Sequence, residues 1–167
     1  MKTASIIAIL ATAGIASADT YTFDISGLEV DGGFGDNFFT MVHDFGFAGT
    51  VTNVAWDVNF ETVGSSWESE AQIAVDTDDD SSLDADVNPA DFGAADGPGA
   101  FAYNGSISAN TVSSNGLVYL TLYDSFDDAG IDHVYGAGSF VTVTYIPAPG
   151  AAALLGLGGL VAARRRR

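Results

Sequence analysis

The chain has 167 residues, no cysteine, 22 Asp or Glu against five Lys or Arg, and a formal charge of −17. All five cations sit in the tails, as Lys2 and Arg164 to Arg167, so the stretch between them has a formal charge near −22. That stretch cannot displace phosphate counterions or supply a lysine nucleophile, an arginine clamp or a patch for anionic lipid, which excludes nucleic acid as a partner, and the absence of cysteine excludes disulfides, thiol chemistry and thiolate metal sites.

At the N-terminus, Met1-Lys2 supplies one positive charge and Ala4 to Ala16 is almost wholly apolar or small. Ala16-Ser17-Ala18 then forms an A-x-A cleavage site before Asp19. This predicts a signal peptide over 1–18, a helix too short to span a bilayer, removed by signal peptidase. The mature chain is expected to begin at Asp19. From there to Ile146 lie about 128 residues, enough for one domain with a core.

That body reads as all-β. Val54, Trp56, Val58 and Phe60 alternate with Ala55, Asp57, Asn59 and Glu61, the period of two of a strand with one dry and one wet face. Similar runs occur at Tyr21-Phe23-Ile25, Gln72 to Val75, Leu117 to Tyr123 and Phe140 to Tyr145. Turn formers such as Asp31-Gly32-Gly33 and Ser114-Asn115-Gly116 separate them. Short strands with Gly-rich turns predict a single β-sandwich. Ser66-Trp67-Glu68-Ser69-Glu70, then Tyr103-Asn104-Gly105, then Leu120 to Asp128 is similar in order to P-domain-like jelly-roll modules. That resemblance implies a jelly-roll-like sandwich and no particular function.

Two acidic groups are candidate calcium ligands. Asp76, Asp78 and Asp80 hold positions 1, 3 and 5 of a calcium-loop pattern and Asp84 holds position 9, but Ser81 replaces the loop glycine and Val87 the bidentate Glu. Asp124, Asp127, Asp128 and Asp132 follow the Leu117 to Tyr123 strand in one loop. Oxygen ligands without Cys or clustered His suit a hard cation. The alternative for the first group is a solvated acidic loop extended by self-repulsion, and for the second, turn-forming aspartates that bond their own backbone.

Catalytic signals are sparse. His43 adjoins Asp44 and His133 adjoins Asp132, but neighbours on a strand point to opposite faces. Glu68 and Glu70 would share a strand face, as a glycosidase pair could, a spacing that arises by chance in so acidic a chain. No G-x-S-x-G, H-E-x-x-H or phosphate loop occurs. Trp56 is in phase with Val54 and Val58 and is expected in the core. Trp67 stands near a strand start, either partly buried at a sandwich edge or exposed as a platform for a sugar ring.

The C-terminal segment is Pro147-Ala148-Pro149-Gly150, an apolar run from Ala151 to Ala163 and Arg164-Arg165-Arg166-Arg167. The prolines end the last strand, the run is a marginal transmembrane helix, and the arginines hold its end in the cytoplasm. Pro-Ala-Pro-Gly, the small-residue helix and the Arg cluster resemble the PEP-CTERM sorting signal of bacterial surface proteins. The resemblance implies recognition by a membrane-embedded exosortase, cleavage near the Pro motif, and release or attachment at the cell surface after transient anchoring. The usual middle residue of that motif is Glu, and here it is Ala148. The expectation is an exported, non-enzymatic β-sandwich over 19–146 with a sorting tail over 147–167, which binds calcium or extracellular polysaccharide. A carbohydrate-binding module and a small secreted hydrolase are the alternatives.

Overall fold

The computed structural model describes residues 17–34, 39–78, 83–92, 97–126 and 130–150. The signal segment through Ala16 and the apolar run with Arg164 to Arg167 lie outside them. Among the described residues no helix is long and apolar enough to cross a membrane.

The fold is all-β and sandwich-like. Its strands are β1 (Asp19–Asp24), β2 (Glu29–Val30), β3 (Phe39–Asp44), β4 (Gly49–Thr62), β5 (Ala71–Asp76), β6 (Ala85–Val87), β7 (Ala100–Ser113), β8 (Leu117–Asp124), β9 (His133–Tyr135) and β10 (Phe140–Pro147). Short 3-10 turns cover Glu68–Glu70 and Pro89–Phe92. One sheet runs β1-β10-β4-β9-β2, with β7 also paired to β4, and the other runs β3-β8-β5-β6. Every named strand pair is antiparallel.

The predicted alternation becomes the interior. Val54, Trp56, Val58 and Phe60 on β4, with Phe23, Val141, Val143 and Tyr145, face Ile73, Val75, Val118, Leu120 and Leu122 of the second sheet. Thr142 and Thr144 lie on the opposite face of β10, where Thr22 and Thr142 share a hydrogen bond between hydroxyls at 2.9 Å. Fully burying each Val, Leu or Ile contributes about 1.5–3 kcal/mol, which is the driving force available to a chain without disulfides. Trp56 packs so closely on β7 that a Cβ at Gly105 would lie 2.6 Å from its Cζ2. Glycine is required there by contact, not by turn geometry.

Registers define two poles. Asp19 pairs with Tyr145, Pro147 with Gly49, and Gly49 with Ser113, and Thr77 at the end of β5 donates its hydroxyl to Val112 O. The two ends of the strand-forming chain therefore leave from one pole, in neighbouring strands. Asp24, Thr62, Ala71, Ala100, Asp124 and His133 stand at the other. Ala148 N still donates to Ala48 O at 2.8 Å, so the Pro motif begins on the domain.

Candidate functional site

Buried polar groups concentrate at the pole away from the chain ends. Loops rich in Gly and Ser close it, because their exposed backbone donors need partners that a strand ladder does not supply. Asp132, with no exposed surface, accepts the Gly32 amide at 2.9 Å through Oδ2 and the Ser66 hydroxyl at 3.0 Å through Oδ1. Its own amide donates to Val30 O and its carbonyl accepts the Val63 amide. One aspartate thus ties three loops together.

Asp124 is the second buried carboxylate. Its Oδ1 accepts the Phe126 amide at 3.0 Å, and its Oδ2 lies 3.3 Å from Nδ1 of His133. His133 is 1 % exposed and its ring packs against Phe60 and Tyr135, while among the described residues its Nε2 has no hydrogen-bond partner. Tyr135 is also buried, and its hydroxyl has no partner among the described residues. Burial, then the charge of Asp124, pushes that phenol well above its ordinary range. Glu68 completes the group from the 3-10 turn: its Oε2 accepts the Tyr103 hydroxyl at 2.6 Å, while Oε1 has no partner among the described residues. Burial first, then the bond to Glu68 and its charge, push Tyr103 up to about 12.

These placements revise several sequence expectations. Glu68 and Glu70 do not share a strand face. Both lie in the 3-10 turn, where Glu68 is buried and Glu70 turns back to accept the Trp67 amide at 2.7 Å. His133 meets Asp124 across a loop, in keeping with the expectation that neighbours on a strand do not pair directly. His43 stacks on Tyr21 with centroids 3.5 Å apart and meets Phe45 edge-on. Of the second acidic group, Asp124 and Asp132 are already engaged by protein donors, and Asp127 and Asp128 lie outside the described residues.

The first acidic group lies at the pole of the chain ends. Asp76 Oδ1 accepts the amides of Thr77 and Asp78, and Asp84 Oδ2 accepts the Thr77 amide at 3.0 Å and hydroxyl at 2.8 Å. Burial raises the Asp76 carboxyl above its usual range; the two amides oppose this and the charges of Asp84 and Asp78 add to it. Asp80 lies outside the described residues. Among the described residues no three acidic or histidine side chains are grouped to hold a metal ion. Ser66, Thr77 and Tyr123, whose hydroxyl donates to Asp86 at 2.7 Å, are polar partners that no spacing in the sequence pointed to.

Exposed aromatic surface also gathers at the far pole. Trp67 is 48 % exposed and Phe126 63 %, and the Ser125 amide donates to Glu70 O, which brings the two loops side by side. Trp56, by contrast, is in the core as expected. No protein-family model matches the chain, and no curated protein matches it.

Proposed function

We propose that this chain is an exported bacterial protein, sorted through a PEP-CTERM-like tail and displayed at the cell surface or in the extracellular matrix as a non-enzymatic acidic module. The observation that carries this reading is the position of the chain ends. Asp19, the first residue after the Ala16-x-Ala18 motif, opens β1, and Pro147, the first residue of Pro-Ala-Pro-Gly, closes β10. The two strands are neighbours, so signal peptidase and an exosortase-type enzyme would cut at one pole of the sandwich and leave every ladder whole. A body without Lys or Arg fits display in a saline exterior, where self-repulsion is screened.

We further read the topology as a jelly roll. Strands β1-β10-β4-β7 over β3-β8-β5-β6 form the paired four-stranded sheets of that architecture, and β2 with β9 is a small addition at the far pole. The non-enzymatic reading is supported by burial. The His133–Asp124 pair, which has the composition of a base and its orienter, is closed off from any substrate.

Mass spectrometry of both ends of the protein from an exporting cell tests the sorting reading. The expected product begins at Asp19 and ends within or just after Pro147 to Gly150. Persistence of Met1 and Arg167, or export unaffected by deletion of 147–167, would refute it. A second reading, glycan binding, is favoured by exposed Trp67 and Phe126 at the pole facing away from the tail. It requires a glycan-dependent shift in tryptophan fluorescence that Trp67→Ala abolishes.

A further inference from the structure

Among the described residues, free strand edges fall into two kinds. Strand β1 has six residues bounded by Asp19 and Asp24, β2 has two and includes Glu29, β3 has six and ends in Asp44, and β6 has three around Asp86. Each is short and carries a carboxylate, the usual protection against pairing with another chain. Strand β7 has neither protection. It runs 14 residues, Ala100 to Ser113, with no charged residue and no proline, inside a body that carries 22 carboxylates. Among the described residues, the backbone of 101–111 bonds to nothing but β4. The far side of this strand therefore presents unpaired N–H and C=O groups along an uncharged ladder.

The sequence of β7 also names its partner. Asn104-Gly105-Ser106-Ile107-Ser108-Ala109-Asn110 is nearly palindromic about Ile107. Antiparallel pairing of this strand with itself, about a two-fold axis at Ile107, sets Asn104 against Asn110, Ser106 against Ser108, Gly105 against Ala109 and Ile107 against Ile107. An interface between identical copies related by a two-fold axis must be self-complementary in this way. Asn104, Ser106, Ser108 and Asn110 are all exposed on the same face, so the facing pairs are hydrogen-bonding ones. One irregularity in the β4 ladder, where Ala109 and Asn110 together face Thr52, leaves the alternation of exposed and half-buried side chains along β7 unbroken.

We infer that the free edge of β7 pairs antiparallel with β7 of a second copy, joining two sandwiches through one continuous sheet. Charge selects this edge. Two bodies of formal charge near −22 repel, and this uncharged strand lets them approach without setting carboxylates against each other. Added salt, which screens the remaining repulsion, strengthens the pairing.

The test uses the cysteine-free full chain in a non-ionic detergent. Ser106→Cys with Ser108→Cys places thiols that face each other across the proposed axis, and Thr20→Cys with Thr22→Cys places the same spacing on the β1 edge. Under a mild oxidant the β7 pair is expected to give at least tenfold more reducible dimer than the β1 pair. In sedimentation at 0.5 M salt the unsubstituted chain is expected to dimerise. Ser106→Asp with Ser108→Asp should return it to monomer, while Thr20→Asp with Thr22→Asp, equal in charge, should not. Circular dichroism establishes that each variant is folded. Equal cross-linking at both edges, a monomer at every salt concentration, or β7 thiols captured by a different protein would overturn the inference.

Discussion

Asp132→Ala is the most informative single change in the fold. It removes the carboxylate that accepts from the buried Gly32 amide and from Ser66, and that stands between β2, the β4 loop and β9. A hydrogen bond to a charged acceptor contributes about 1.5–3 kcal/mol, so losing the two gives an expected loss of about 3–5 kcal/mol. Against a typical domain stability of about 5–15 kcal/mol this is a large fraction. At this chain size it lowers the melting temperature by roughly 10–20 °C. Asp132→Asn keeps one acceptor but turns an NH2 toward a donor, and should lose about half as much. Urea denaturation of both variants beside Asp57→Ala, an exposed carboxylate on β4, separates the network from simple charge removal. A loss for Asp132→Ala below about 1 kcal/mol, or equal to that of Asp57→Ala, would refute the claim that this residue ties the pole together.

Other consequences can be measured on the same protein. Gly105→Ala, whose Cβ would press on the Trp56 ring, should destabilise by about 1–3 kcal/mol and change the fluorescence of buried tryptophan; an unchanged melt would contradict the packing. The Tyr103 phenol is raised in the fold, so its contribution is complete below pH ~10, its unfolded value, and is lost as pH rises toward about 12. Absorbance titration should show a late-ionising tyrosine at that pH, and Tyr103→Phe should remove it. Asp76 is raised by burial, so its charged form is the disfavoured one above its titration. Asp76→Asn should therefore stabilise the protein at neutral pH, by roughly 0.5 kcal/mol and most at low salt. If screening alone acts on the acidic loop, calcium and sodium at equal ionic strength raise the melting temperature equally, whereas a saturable calcium-specific shift would support Asp76, Asp78 and Asp84 as ligands.

Legibility followed the physics that is local. The alternation in Val54 to Phe60, Leu117 to Tyr123 and Phe140 to Tyr145 was readable because each strand buries one face, and that pattern also placed Trp56 in the core. Strand β7, the equal of β4 in length, escaped because Asn104, Gly105, Ser106, Ser108 and Asn110 are turn formers by propensity. Their strand conformation comes from pairing with β4, a tertiary cause that a sequence window does not contain. The same limit hid the far-pole network. Asp132 meets Gly32 across 100 positions and Ser66 across 66, so no window around it contains the amide and hydroxyl donors that the fold brings to it.

That substitution of donors for cations explains how so acidic a body folds. A buried carboxylate usually needs an Arg or Lys partner, and between Lys2 and Arg164 there is none. Asp124, Asp132 and Glu68 are stabilised by backbone amides, a serine, a tyrosine and one histidine, all neutral donors except when His133 is protonated. Such acceptors are fixed by direction as well as distance, so they hold particular loops in particular places, which an ion pair on a long side chain does less strictly. Screening acts weakly on these interior bonds and strongly on the exposed carboxylates of the opposite pole. Salt should therefore change the stability of the Asp76 loop and the approach of one copy to another while leaving the far-pole network unaltered, so the energetic cost of Asp132→Ala should be nearly the same in dilute and in concentrated salt.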